Sequence, residues 1–215
     1  YQGGDNAGHT VVEDGTEYAL SLVPSGAVRG KTGVLGNGCV VNPRTLFDEI
    51  DTLRERGLEP DVRVARRAHV IFPYHRRLDG IEEEAKADAD TGTEIGTTGR
   101  GIGPTYQDKA GRRGVRVADL LAPDRLGEKL SYVVPQTRAV IEDVHGLAAD
   151  DECDVDALHS EYAASRRRLR AEELTVACGD HPAHPLAARH HVLLGHAHVP
   201  HRAFDHRDSP SPHHL

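Results

Sequence analysis

Gly3, Gly8, His9 and Thr10 stand in the spacing of a G-x-x-x-x-G-K-[ST] phosphate loop, with His9 in the place of the lysine. Glycines let a chain turn sharply and aim successive N–H groups at an anion. An imidazole beside them can donate to an oxygen as charge builds there. A P-loop opens a helix, but Thr10, Val11 and Val12 are β-branched and favour a strand. The pattern therefore fits a phosphate-cradling loop of another kind, or a simple turn.

A second Gly-rich stretch spans residues 91–114. It contains Gly96-Thr97-Thr98-Gly99-Arg100-Gly101-Ile102-Gly103-Pro104 and ends in Arg112-Arg113-Gly114. Two threonine hydroxyls, a pliant backbone and several guanidinium groups suit a phosphate monoester. A mobile surface loop explains the same residues equally well. A third chemistry is suggested past Gly179, where ten of the fifteen histidines and five of the twelve prolines lie in residues 181–215. His190-His191, His196-x-His198 and His213-His214 could chelate a divalent cation, yet no acidic or Cys partner recurs at fixed spacing. His, Pro, Arg and Ala share GC-rich codons, so a shifted reading frame in a GC-rich gene yields such a stretch. Residues 179–215 are accordingly read as a tail foreign to the fold.

The elements that must position these groups follow from pattern. Thr10–Glu13, Asp14-Gly15 and Tyr18–Val23 predict a β-hairpin. Residues 33–35 and 39–41 flank Gly36-Asn37-Gly38 as strand, turn and strand. Asn42 is placed to cap a helix with Pro43 at its first position. Leu46, Ile50 and Leu53 give that helix an apolar face, and Gly57 ends it. Strands are expected over 62–65 and 70–72. Helices are expected over 76–88, 116–121, 123–133, 136–146 and 155–173, with 91–114 a loop. Glu82, Glu83 and Glu84 would form a solvated helix face.

Composition narrows the setting. A chain of 215 residues can bury a real core. Cys39, Cys153 and Cys178 are scattered and odd in number, which argues against a disulfide framework or zinc knuckle and for a reducing cytoplasm. No apolar run approaches the ~18 residues of a membrane span, and no signal-like segment is present. The net charge is −8, and residues 181–215 carry +1, which leaves −9 for the rest. Only four of the 26 Lys and Arg residues are lysine. Such an acidic, Arg-rich surface suits a high-salt cytoplasm and gives no support to nucleic-acid binding. The chain has no Met and begins at Tyr1, a residue before which initiator Met is not normally trimmed, so it reads as a piece of a longer chain.

Several motifs in order are specific enough to name a family. Residues 1–178 resemble the front half of adenylosuccinate synthetase. The match runs through the Gly-rich run at 1–10, Leu-x-Pro-Ser-Gly at 22–26 and Gly-Asn-Gly at 36–38. It continues through Ile-Gly-Thr-Thr-Gly-Arg-Gly-Ile-Gly-Pro at 95–104 and Asp-Lys-x-x-Arg-Arg-Gly at 108–114. The acidic bias suggests a salt-adapted member.

The resemblance implies an α/β fold with a large, mostly parallel central sheet, of which this chain would hold part together with a β-hairpin and a helical region. It implies a ligase of purine nucleotide synthesis that joins IMP and L-aspartate, with GTP as co-substrate and Mg²⁺ as cofactor. His9 would be the catalytic histidine, donating to phosphoryl oxygens between GTP and IMP. Asn6, Ala7, Gly8 and His9 would touch IMP, and Gly8, His9 and Thr10 would face GTP, with the Gly8 carbonyl a Mg²⁺ ligand. Thr98 would bind the IMP phosphate. Arg112 would reach that phosphate from the partner subunit of a homodimer. Arg113 reads equally as a surface charge. No membrane or nucleic-acid partner is implied.

Departures from the pattern are as specific. The family's Gly-Asp-Glu-Gly-Lys-Gly loop, which carries the base carboxylate, would lie upstream of Tyr1. Its Glu-Gly-Ala-Gln-Gly and Asp-x-Asp-His-Gly segments do not occur in 181–215. The 215 residues alone are therefore expected to be inactive. The alternative is a non-catalytic remnant that binds purine nucleotide or dimerises.

Overall fold

The β-branched run after the first glycine loop forms β1 (His9–Glu13), which pairs antiparallel with β2 (Thr16–Leu20). Asp14 and Gly15 between them both have positive φ (49° and 77°), as a two-residue hairpin turn of matching twist requires. The computed structural model describes residues 3–88, 97–171 and 174–176, and these fall within one unit, residues 1–178. The tail from Gly179, the tail histidines, Cys178 and the segment 89–96 lie outside the described residues.

Beyond β2 the chain leaves the ladder, contrary to the expected strand through Val23. The amides of Ser21, Leu22 and Val23 donate instead to the Glu49 carboxylate at 2.7, 3.1 and 2.8 Å. A 3₁₀ turn over Ser25–Arg29 leads to β3 (Gly33–Leu35) and then β4 (Val40–Val41). These two strands do not pair with each other. The helix α1 (Pro43–Glu55) crosses over to β5 (Val62–Ala65), and β3 pairs parallel with β5. β4 pairs parallel with β6 (His69–Val70). The last short strand, here β7 (Thr175–Val176), adds to β5, so the three-stranded sheet runs β3-β5-β7, all parallel. The architecture is α/β with parallel strands, as expected.

Local chemistry explains α1. The Asn42 side chain accepts the Arg44 amide at 3.1 Å, and Pro43 occupies a position whose N–H would have no partner. Leu46, Ile50 and Leu53 are fully buried, and burying each side chain contributes roughly 1.5–3 kcal/mol. Gly57, at φ 79°, follows the helix end.

Three expectations change on the far side of the sheet. β6 stops at Val70, because α2 (Pro73–Asp88) starts three residues earlier than expected. The region 91–114 is not a continuous loop: α3 (Ile102–Ala110) stands in it. After α4 (Val117–Leu120), the two helices expected around Pro135 are one, α5 (Pro123–Ala139), which runs on into a π-helical turn over Val140–Val144. Pro135 removes one amide, but Leu130, Val133, Val134 and Ile141 on both sides of it are buried and hold the helix together. α6 (Val155–Ala171) packs on α5, and Arg168 of α6 grips Asp51 of α1 with two N–H groups.

Candidate functional site

The first glycine loop is built into the edge of β4. Gly3 accepts the Val40 amide at 2.9 Å. A Cβ on Gly4 would lie 2.5 Å from Ile102 Cδ1 and 2.8 Å from Val40 Cγ2, so only glycine lets the loop pass between β4 and the start of α3. A turn closed by the Ala7 amide on the Gly4 carbonyl (3.2 Å) leaves Asn6 and Gly8 exposed. Asp5, 2% exposed, anchors the turn from below. Its carboxylate accepts from Asn42 Nδ2 (3.2 Å) and Thr45 Oγ1 (3.1 Å) at the N-terminus of α1, where a negative charge is favoured.

His9 is half-buried at the start of β1. A carbonyl only accepts, so Nδ1 carries a proton and donates to Ala7 O at 2.9 Å. That bond fixes the ring, and Nε2 is buried with no hydrogen-bond partner among the described residues. Thr10, next along the strand, is exposed.

The second half of the site is the approach to α3. Thr97 and Thr98 are exposed. The Thr97 amide donates to Glu83 Oε1 (3.3 Å), and the Gly99 amide donates to Thr97 Oγ1 (3.2 Å). Glu83 is thus more than a solvated charge. Gly101, at φ 75°, donates its amide to Asp79 Oδ2 at 2.8 Å. A Cβ there would meet Arg76 N at 2.8 Å and the His75 carbonyl carbon at 2.9 Å. The Thr98 segment is thereby tied to the first turns of α2, while Gly4 touches Ile102 four residues beyond Thr98. Both halves converge on the start of α3.

At the other end of α3 the chain reverses through Gly111–Gly114. Arg112 is exposed, has φ 59°, and makes no ion pair among the described residues. Arg113 is not a free surface charge: its Nε donates to Asp108 Oδ1 at 2.5 Å. Asp108 is 3% exposed and accepts at its other oxygen from His75 Nε2 (3.1 Å), itself 1% exposed. His75 Nδ1 accepts the Phe72 amide at 2.9 Å, so the ring is neutral with its proton on Nε2. Burial pushes the His75 imidazole down, partly opposed by Asp108. Burial would raise the Asp108 carboxyl, but hydrogen bonds from His75 and Arg113 hold it below the usual carboxylate range.

A cleft of about 840 Å³ opens between Asn42, Arg44, Phe47, Arg76, Gly99 and Arg168. None of Asn6, His9, Thr98 or Arg112 lines it, although Gly99 adjoins Thr98 and Asn42 holds Asp5. Among the described residues there is no group of three or more His, Cys, Asp or Glu side chains fit to hold a metal. Gly8 is exposed, and a backbone carbonyl is a hard oxygen of the kind Mg²⁺ takes, though it would be one ligand of about six. Cys39 and Cys153 are buried, and burial pushes both thiols up, Cys153 to about 11, so neither is a nucleophile at neutral pH. No helix among the described residues is long and apolar enough to cross a membrane.

Residue patterns did not single out Asp5, His75, Asp79 or Asp108. Asp108 stands in a motif with Arg113 five residues on, but the 33-residue reach to His75 has no local signature.

The family model described as Adenylosuccinate synthetase matches residues 1–197. The adenylosuccinate synthetase of Haloarcula marismortui is 70% identical over 184 residues, covering 83% of this chain and 40% of that protein. That of Halobacterium salinarum is 61% identical over 213 residues, covering 98% of this chain and 48% of that protein. Among solved structures, a fully ligated adenylosuccinate synthetase from Plasmodium falciparum superposes with a TM-score of 0.67 at 30% identity, covering 80% of this chain and 38% of that one. The chain spans about half the length of the curated relatives it matches.

Proposed function

The chain belongs to the adenylosuccinate synthetase family, and from that membership we propose that it supplies the IMP-facing half of a GTP-dependent ligase joining IMP and L-aspartate. In this reading a carboxylate base takes the N1 proton of IMP, and the 6-oxygen attacks the γ-phosphorus of GTP, releasing GDP. The amine of aspartate then attacks C6 and expels phosphate, giving adenylosuccinate. Asn6, Ala7, Gly8 and His9 contact IMP, and Gly8, His9 and Thr10 face GTP. Thr98 binds the 5′-phosphate. Arg112 reaches the phosphate of IMP on the other subunit of a homodimer. Mg²⁺, when bound with GTP, offsets phosphate charge; of the described residues only the Gly8 carbonyl is assigned to it. The setting is cytoplasmic.

The observation that carries the reading is His9. Its ring is locked by Ala7 O while Nε2 is buried in a glycine loop with no hydrogen-bond partner among the described residues. With Nδ1–H engaged by Ala7 O, Nε2 donates to the phosphoryl oxygens only from the doubly protonated ring, and a pre-oriented donor of that kind lowers the barrier where charge develops by roughly 2.7–4 kcal/mol.

The base is another matter. Gly-Asp-Glu-Gly-Lys-Gly does not occur in these 215 residues. Without a base N1 stays protonated and the 6-oxygen is a poor nucleophile. Residues 1–215 alone are thus expected to bind IMP without turnover, and residues 179–215 to add nothing to binding. Titration calorimetry with IMP checks this. We expect saturable binding that Arg112→Ala weakens about tenfold, the scale of one charge-assisted contact to phosphate. A folded chain that gives no heat with IMP, or turnover by pure 1–215 with IMP, GTP and aspartate, contradicts the reading.

A further inference from the structure

The turn that carries Arg112 is held from inside the protein. Burying His75 and Asp108 costs desolvation that an apolar pair would not incur. Both are nonetheless engaged in one chain of contacts, from the Phe72 amide through His75 to Asp108 and out to Arg113. Asp108 also uses its backbone: its carbonyl accepts the amides of both Arg113 and Gly114 at 3.0 Å. The Arg112 amide donates to Lys109 O at 3.2 Å. Beneath the turn, a Cβ on Gly114 would lie 2.7 Å from His69 Cδ2, so the backbone rests directly on that ring. The residues on both sides of Arg112 are anchored, while Arg112 itself is exposed, holds a left-handed conformation and makes no ion pair among the described residues. A non-glycine residue keeps such a conformation only where its surroundings over-determine it.

We propose that His75, Asp108 and Arg113 are positioning residues that fix the 111–114 turn so that Arg112 meets the phosphate monoester of IMP bound by the partner subunit. The proposal rests on the assignment of Arg112 made above. A rigid turn presents a guanidinium at low entropic cost, whereas a flexible one must be ordered at each binding event. Arg113 thus does for Arg112 what the bound carbonyl of Ala7 does for His9: it holds the reacting group's backbone or ring and leaves its polar end free.

Two readouts on the full 215-residue chain test it. The first is IMP affinity by calorimetry for Arg112→Ala, Arg113→Ala, Arg113→Lys and Asp108→Asn, each with its thermal midpoint. The second is the rate of tryptic cleavage at the bond after Arg112, followed by mass spectrometry, with the bonds after Arg125 and Lys129 in α5 as internal controls. Arg113→Ala and Asp108→Asn should each weaken IMP binding about tenfold. They should also speed cleavage after Arg112 roughly fivefold or more, with the α5 bonds unchanged, as local loosening requires. Arg113→Lys, which keeps a cation for Asp108, should recover most of the affinity. Arg113 is partly exposed, so its variants remain informative if Asp108→Asn fails to fold. If Arg112→Ala or the unaltered chain shows that IMP binding does not depend on Arg112, the functional assignment fails and the proposal falls with it. If Arg112→Ala weakens binding but Arg113→Ala does not, the assignment stands and the positioning role is overturned. Unchanged cleavage after Arg112 in Arg113→Ala overturns it equally.

Discussion

His9 and His69 show how one residue type takes opposite roles in the same fold. Among the described residues His9 Nε2 at the loop and Nδ1 of His69 have no partner, but His69 is 4% exposed beneath the Arg112 turn. Burial, reinforced by Lys109 and Arg116, pushes His69 down to about 4. The sign of the consequence follows from linkage. The unfolded chain binds a proton near pH 6.5 that the folded chain refuses until about pH 4, so stability falls as pH drops through that interval. His75, also shifted down by burial, acts in the same direction. Denaturant midpoints measured from pH 7 to pH 4 should therefore decline, and His69→Gln should flatten the decline without removing it. A midpoint independent of pH in the unaltered chain would count against neutral buried imidazoles. At this scale glycine-rich spacing and a run of motifs mark out His9, Thr98 and Arg112 in the sequence, and the roles proposed for them come from the family resemblance. Asp5, His75, Asp79 and Asp108 were not, because their roles come from partners 22 to 40 residues away.

Elements were legible where local chemistry and packing agree. The Asp-Gly turn between alternating apolar residues marks β1 and β2, and Asn42-Pro43 with Leu46, Ile50 and Leu53 marks α1. Asn42 does two things at once, capping α1 and donating to Asp5 under the first glycine loop. Asn42→Ala should cost about 1 kcal/mol from the cap alone, and somewhat more because Asp5 loses a donor. Chemical denaturation with IMP present and absent would show both the stability loss and a weaker response to ligand; no change in either contradicts the coupling of loop and helix. By contrast α3 was hidden. Three glycines and Pro104 weigh against a helix by propensity, yet Gly101 takes a left-handed conformation just before it and Pro104 sits in its first turn, where an amide has no intrahelical partner anyway. Tyr106 Oη and Lys109 Nζ then donate to the carbonyls of Gly38 and Asn37, so the helix is secured by a distant turn that no local window contains.

At the scale of the molecule, the described residues form an α/β unit in which two glycine segments meet at the start of α3 and an exposed arginine follows its far end. The class of fold and its parallel character were readable from the order of motifs; the break into a three-stranded and a two-stranded parallel sheet was not, because strands of two and three residues leave almost no periodic trace. This unit should carry the IMP-facing chemistry of its family. The most direct test is to graft residues 1–178 in place of the matching part of the Haloarcula marismortui relative and to measure adenylosuccinate formation from IMP, aspartate and GTP beside that parent. The graft should turn over within about tenfold of the parent, and His9→Ala within it should lower the rate by 10²–10³, the scale of one lost transition-state donor. A folded graft that binds IMP yet forms no product, or whose rate is indifferent to His9→Ala, would contradict it.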